Sequence, residues 1–153
     1  MKEKEWMVAM EFASLHGWPV TFHVTDPSGN NYPGKELTPM EDFLWLANEL
    51  PDLKIILAHA GALYALDHPL PSNIYLDLAA CPLLYPTEIY QQLIERIGAE
   101  KILWGTDYPL RIYPSQRTKP DFSSFLTQFK ASIKTGEEQL SGMLGNNLLH
   151  LIQ

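Results

Sequence analysis

The feature that most constrains this chain is an alternation of short apolar runs with stretches of helical spacing. The runs are Val20-Thr21-Phe22-His23-Val24, Lys54-Ile55-Ile56-Leu57-Ala58-His59-Ala60-Gly61, Ile74-Tyr75-Leu76-Asp77-Leu78 and residues 101–105. Each is strand-length and rich in β-branched, aromatic or aliphatic residues. The second run is apolar almost throughout, the pattern of a strand buried on both faces. Strand then crossover, repeated four times, implies parallel strands with helices outside them. Parallel strands bring their C-terminal ends to one side. His23, His59, Asp77 and Asp107 stand at or just past those ends, so the topology should gather them.

Between the runs, residues 3–15 predict a helix with Trp6, Ala9, Met10 and Ala13 on its buried face and Gly17 as its C′ residue. Thr38-Pro39-Met40-Glu41 predicts a second helix start, with Thr38 as cap and Glu41 completing a capping box. Met40, Phe43, Leu44 and Ala47 would face inward, and Pro51 would stop the helix. Pro86 and Thr87 open a helix that Gly98 ends. Phe122, Phe125, Leu126, Phe129 and Ile133 mark another. Thr135-Gly136-Glu137-Glu138 has the form of a further capping box, and residues 140–152 give a last helical stretch with a break near Gly145-Asn146.

Composition narrows the function classes. With 153 residues, 46% of them hydrophobic, the chain can bury a core, and residues 1–153 are expected to form a single domain or one compact piece of a larger one. A formal charge of −7 and the absence of a basic run argue against nucleic acid and anionic membrane as partners. The one cysteine, Cys81, cannot form an internal disulfide, which suits a reducing cytoplasm. The start is charged and helical rather than a signal peptide, and no apolar run reaches membrane-spanning length.

The strand-end residues carry the chemistry. Asp107 lies in Ile102-Leu103-Trp104-Gly105-Thr106-Asp107-Tyr108-Pro109, where a buried strand should end. A carboxylate there is costly unless a metal, an arginine or a set of donors offsets it. Two imidazoles and a carboxylate suit a divalent ion, with Zn²⁺ expected first and Mn²⁺ or Fe²⁺ as alternatives. Asp107 would then take a proton from water and an imidazole would donate one. Each residue also has a structural reading: a hydrogen-bonded core histidine for His23, a turn cap for Asp107, a supporting group for Asp77. His16, His68 and His150 lack strand-end context. Cys81 has no base beside it. Arg111 and Arg117 would either reach a substrate carboxylate or stay solvated.

Taken in order, Pro19-Val20-Thr21-Phe22-His23-Val24, Ile56-Leu57-Ala58-His59-Ala60-Gly61, Asn73-Ile74-Tyr75-Leu76-Asp77 and Ile97-Gly98-Ala99-Glu100-Lys101-Ile102-Leu103-Trp104-Gly105-Thr106-Asp107-Tyr108-Pro109 resemble the amidohydrolase-related TIM-barrel metal enzymes. That group includes aminocarboxymuconate-semialdehyde decarboxylase, aromatic-acid decarboxylases and lactone hydrolases. Leu144-Gly145-Asn146-Asn147-Leu148-Leu149-His150-Leu151 resembles the family's terminal helix. The resemblance covers the family's second half and implies the C-terminal half of a (β/α)8 barrel. It implies that His23 is a metal ligand, His59 a ligand or catalytic acid/base, and Asp107 a metal ligand and catalytic base. It implies a supporting or substrate-facing role for Asp77; Arg111, in the loop after Pro109, is the candidate substrate contact beside it. The family's first strand carries a His-x-His pair, and no two histidines here are separated by one residue.

Two readings follow. In the first, the chain belongs to a metal-dependent hydrolase or decarboxylase acting on a small, carboxylated or cyclic substrate through a metal-activated water. In the second it is a non-catalytic half-barrel used for binding or assembly. Either way, the outer strands should be open edges. Apolar side chains among Phe22, Ile56, Leu57, Tyr75, Leu76, Leu103 and Trp104 should face the inside of the arc, so a homo-oligomer or an N-terminal half is the expected partner.

Overall fold

The computed structural model describes residues 4–29, 31, 33–110 and 121–153. Four short parallel strands form one sheet in sequential order: β1 (Val20–Phe22), β2 (Ile55–Leu57), β3 (Ile74–Asp77) and β4 (Ile102–Leu103). Helix α1 (Lys4–Leu15) precedes the sheet. Helix α2 (Met40–Glu49) connects β1 to β2, and the short α3 (Tyr64–Asp67) lies between β2 and β3. Helices α4 (Cys81–Leu84) and α5 (Glu88–Ile97) link β3 to β4. Then come α6 (Ser123–Ser132), α7 (Glu137–Ser141), a π turn (Gly142–Asn146) and α8 (Asn147–Leu151).

Local chemistry accounts for most of the boundaries. Gly17 adopts φ +66°, and the Trp18 amide reaches back to the Ala13 carbonyl at 2.9 Å to close α1. Gly98 ends α5 at φ +89°. The last helical stretch breaks over Gly142–Asn146, around the expected point. Two caps differ from expectation. Pro39 stands at the N-cap of α2 without a side-chain cap. The Thr38 hydroxyl instead accepts the Thr25 amide at 2.8 Å, tying together the loop that follows β1. Gly136 precedes α7, again without a side-chain cap. Ala9 is exposed, while Met10 and Ala13 are buried as expected.

Register decides which residues share a face. Phe22, Leu57, Leu76 and Ile102 lie in one row, and Thr21, Ile56 and Tyr75 in the next. Leu57, Leu76 and Ile102 are in the main core with Phe43, Leu46 and Leu93, and Phe22 packs against it. Ile56 and Leu103 form a separate small cluster with Leu151, against which Tyr75 packs. Phe22, Leu57 and Leu76 therefore face the helices rather than the opposite side of the sheet. That opposite side is smaller than expected and partly covered by the end of α8.

The outer edge of β4 is also occupied. The Trp104 amide donates to the Met143 carbonyl at 2.9 Å. Asn147 donates to the Ile102 carbonyl at 2.9 Å and to the Ala99 carbonyl at 2.8 Å. Lys54 reaches the Leu151 carbonyl at 2.6 Å.

Candidate active site

The ends of the strands gather the expected residues. His23 directly follows β1, His59 lies two residues past β2, Asp77 closes β3, and Asp107 is four residues past β4. The imidazoles of His23 and His59 meet edge to face, with Nδ1 of His23 3.1 Å from Nε2 of His59. Nδ1 of His59 lies 2.8 Å from the Ala79 carbonyl. A carbonyl only accepts, so this nitrogen carries the hydrogen. In neutral His59, Nε2 is then the lone pair that accepts from His23. A backbone carbonyl holding the far nitrogen of an imidazole is the arrangement that orients histidine ligands in metal sites.

Burial lowers the His23 pKa, and the neighbouring His59 lowers it further, while the Asp107 carboxylate opposes both. The balance favours the neutral, coordinating form of His23. Asp77 accepts the Ala79 amide on Oδ1 at 2.9 Å. Burial raises its pKa; the Ala79 hydrogen bond and His59 oppose the rise, and Asp107 adds to it. The four side chains thus share one electrostatic neighbourhood.

The backbone is strained at two of the four positions. Asp107 has φ +57°. His59 begins a left-handed turn in which Ala60, Gly61, Ala62 and Leu63 also have positive φ. Left-handed backbone costs an L-residue roughly 1–2 kcal/mol, and such strain persists where packing over-determines it. Here Ala60 and Gly61 are buried, and a Cβ at Gly61 would sit 3.1 Å from Leu76.

His23, His59 and Asp107 line one cavity of about 220 Å³, with Val24, Asp26, Lys35, Ala80, Leu84 and Leu110 among its other walls. Asp26, a buried carboxylate, and Lys35 went unassigned in the sequence, where Asp-Pro-Ser-Gly is indistinguishable from an ordinary turn. Arg111 and Arg117 lie outside the described residues. Cys81 is buried, and its thiol pKa is pushed up by burial, contrary to what a nucleophile requires.

Two imidazoles and a carboxylate are the right donors for a divalent ion, but their fit is partial. Among the described residues no three His, Cys, Asp or Glu side chains come close enough together to hold one. The His23–His59 hydrogen bond engages the Nε2 lone pair that a metal would require.

A sequential parallel sheet, with helices against one face and polar residues at its C-terminal ends, defines half of a (β/α)8 barrel with the site where such barrels place chemistry. The amidohydrolase family model matches residues 3–147, and the chain belongs to that family. Among solved structures it is similar to 2,6-dihydroxybenzoate decarboxylase from Rhizobium, with a TM-score of 0.67, 17% identity, and coverage of 98% of this chain and 55% of that one. A putative 2-pyrone-4,6-dicarboxylic acid hydrolase from Pseudomonas putida gives 0.66 and 18%, covering 98% and 57%. A dihydroxybenzoic acid decarboxylase from Polaromonas sp. JS666, with bound manganese and 2-nitroresorcinol, gives 0.67 and 17%, covering 98% and 54%. The chain thus spans about half the length of these structures. No curated protein matches it.

Proposed function

We propose that this chain carries the C-terminal catalytic face of a metal-dependent hydrolase or decarboxylase acting on a small carboxylated or cyclic substrate. The observation that carries the proposal is the His23–His59 pair, 3.1 Å apart and oriented by the Ala79 carbonyl, in a cavity shared with Asp107. Family membership supports the reaction class, and the manganese of the Polaromonas enzyme supports a divalent ion. His23 and His59, with Asp107 on the same cavity wall, would contribute ligands to it, the rest of the set coming from outside the described residues, with zinc the expected metal and manganese or iron the alternatives. A divalent ion at such a site supplies Lewis acidity and a lowered pKa for water.

The chain's own residues do the rest. His23, kept neutral, presents a lone pair. His59 turns Nε2 toward His23 at the cavity wall because Nδ1 is held by the Ala79 carbonyl. Asp107 accepts a proton at its carboxylate. Asp77, at the end of β3 beside the site, is the proposed supporting or substrate-facing carboxylate. Arg111 is the proposed second substrate contact.

Metal titration of the purified chain, read by elemental analysis and competition with a chromophoric chelator, tests the proposal. Weak or substoichiometric zinc is expected as purified, because the described ligands fall short of a complete set. His23→Ala and Asp107→Ala should each lower retention further. Tight one-to-one zinc indifferent to both substitutions would mean that the ligands lie elsewhere.

A further inference from the structure

A second cavity lies at the other end of the sheet. It measures about 260 Å³, and His68, Ser72, Ile74, Arg96, Ile97 and Lys101 are among its walls. Ile74 opens β3 and Asp77 closes it, so roughly 10 Å of strand separates this cavity from the end that carries the histidines. The chain as a whole is acidic, with a formal charge of −7, yet among the described residues no carboxylate lines this cavity. The carboxylates nearest in sequence are engaged elsewhere. Asp67 lines a different cavity, Glu95 accepts from Gln91 at 2.8 Å, and Glu100 lies against Gly98.

Backbone carbonyls hold both long cations in place. Arg96 Nε donates to the Ala65 carbonyl at 3.1 Å. The Lys101 ammonium donates to the Ser72 carbonyl and stands 4.2 Å from the centre of the Tyr75 ring. These contacts use one of the five guanidinium N–H groups and one of the three ammonium N–H groups. Among the described residues neither cation has a carboxylate partner. His68, its ring stacked on Tyr64 at 4.2 Å, is a third basic group in the same wall. The end of α5 would by itself repel an anion, and Arg96 in its last turn offsets that.

We propose that this cavity binds a phosphate dianion, free or as the phosphate group of a small monoester, between the Arg96 guanidinium and the Lys101 ammonium. The planar fork of an arginine matches two phosphate oxygens, and a lysine adds a point charge. Cations already held by carbonyls lose less side-chain freedom on binding. Two fixed positive charges favour a dianion over a carboxylate. The site stands apart from the strand-end histidines and does not rest on the proposed function.

Inorganic phosphate, glycerol 3-phosphate and acetate are the probes, titrated at constant ionic strength and mildly alkaline pH into the chain as purified and after chelator treatment. Calorimetry gives the affinity and amide NMR the location. Phosphate should shift the amides of Ser72 and Lys101, leave those of His23 and His59 in place, and bind equally before and after chelation. Arg96→Gln and Lys101→Met should each weaken it roughly 10- to 100-fold, Arg96→Lys less, and His23→Ala not at all. Acetate should bind at least about 10-fold more weakly than phosphate. Tighter binding of glycerol 3-phosphate marks a monoester as the ligand, and tighter binding of phosphate marks the free ion. Thermal unfolding checks each variant; Arg96 is exposed, so its substitutions decide the matter should Lys101→Met not fold. Phosphate binding that is absent, insensitive to Arg96, matched by acetate or lost on chelation overturns the inference and leaves the proposed function standing.

Discussion

A Cβ at position 105 would overlap the Asp77 carboxylate, so the missing side chain of Gly105 is the space in which Asp77 sits. Gly105→Ala should therefore cost about 1–3 kcal/mol, the usual penalty of overpacking, measured by urea unfolding. Asp77→Ala in the same chain should recover part of that loss. Asp77 also sets a pH dependence. Its folded pKa is raised above the ordinary carboxylate value of 3.8, chiefly by burial. The stability it contributes is complete below that value and lost as pH rises through the folded pKa. Asp77→Asn mimics the protonated acid and keeps an acceptor for the Ala79 amide. At neutral pH the variant should gain stability relative to wild type, and the gain should shrink on acidification toward pH 4. A difference constant with pH would show that Asp77 is not desolvated. The strand-end positions of His23, His59, Asp77 and Asp107 were legible, because a short apolar run ending in a polar residue marks them. The left-handed backbone at His59 and Asp107 was not, since Gly61 is the one residue in its turn that signals positive φ. Lys35 was not legible either, because a loop lysine reaches a cavity only through tertiary contacts.

At the scale of elements, the terminal segment does more than pack as one helix among others. Its Met143 carbonyl and Asn147 amide take the N–H of Trp104, which directly follows β4, and the Ile102 C=O of β4, and Leu151 packs with Ile56 and Leu103. Bare strand edges are a liability, and here one edge is capped by side-chain and turn chemistry. Asn147→Ala leaves the Ala99 and Ile102 carbonyls without that donor and should cost about 1–3 kcal/mol in chemical denaturation. Asn147→Asp should cost at least as much, because a carboxylate would face two carbonyls. The motif around Asn147 was visible in the sequence; what it bonds to was not. The strands show a similar split. Period-two alternation groups Phe22, Leu57 and Leu76 against Ile56, Tyr75 and Leu103, but both groups are apolar, so the pattern cannot say which faces the helices. The Thr38 cap failed for a related reason. A Thr-Pro sequence offers a hydroxyl at the helix entrance, and the Thr25 amide takes it.

For the whole molecule, surface apolarity points to assembly. Helix α1 carries two stripes at i, i+4, i+7 spacing. Trp6, Met10 and Ala13 pack inward. Val8, Phe12 and Leu15 are 57%, 51% and 82% exposed, beside Trp18 at 56%. Phe12, His16 and Trp18 pack on one another, with Phe12 and His16 stacked at 4.0 Å. The neighbouring sheet edge, β1, leaves Thr21 exposed. A helix apolar on two sides is one built to be covered on two sides. On the order of 400 Å² of apolar surface is involved, comparable with the largest patch of a typical monomer. At about 25 cal/mol per Å² its burial is worth on the order of ten kcal/mol, against association costs of similar size. Modest, concentration-dependent association through α1 and β1 is therefore expected, either with a second copy or with a complementary half-barrel. Sedimentation velocity over a concentration series should show it, and Val8→Lys with Leu15→Lys should abolish it with little change in thermal stability, since both side chains are exposed and stand outside the Phe12–His16–Trp18 contacts. A monomer at every concentration, unchanged by a complementary half-barrel and by these substitutions, would leave the stripe without an assembly role.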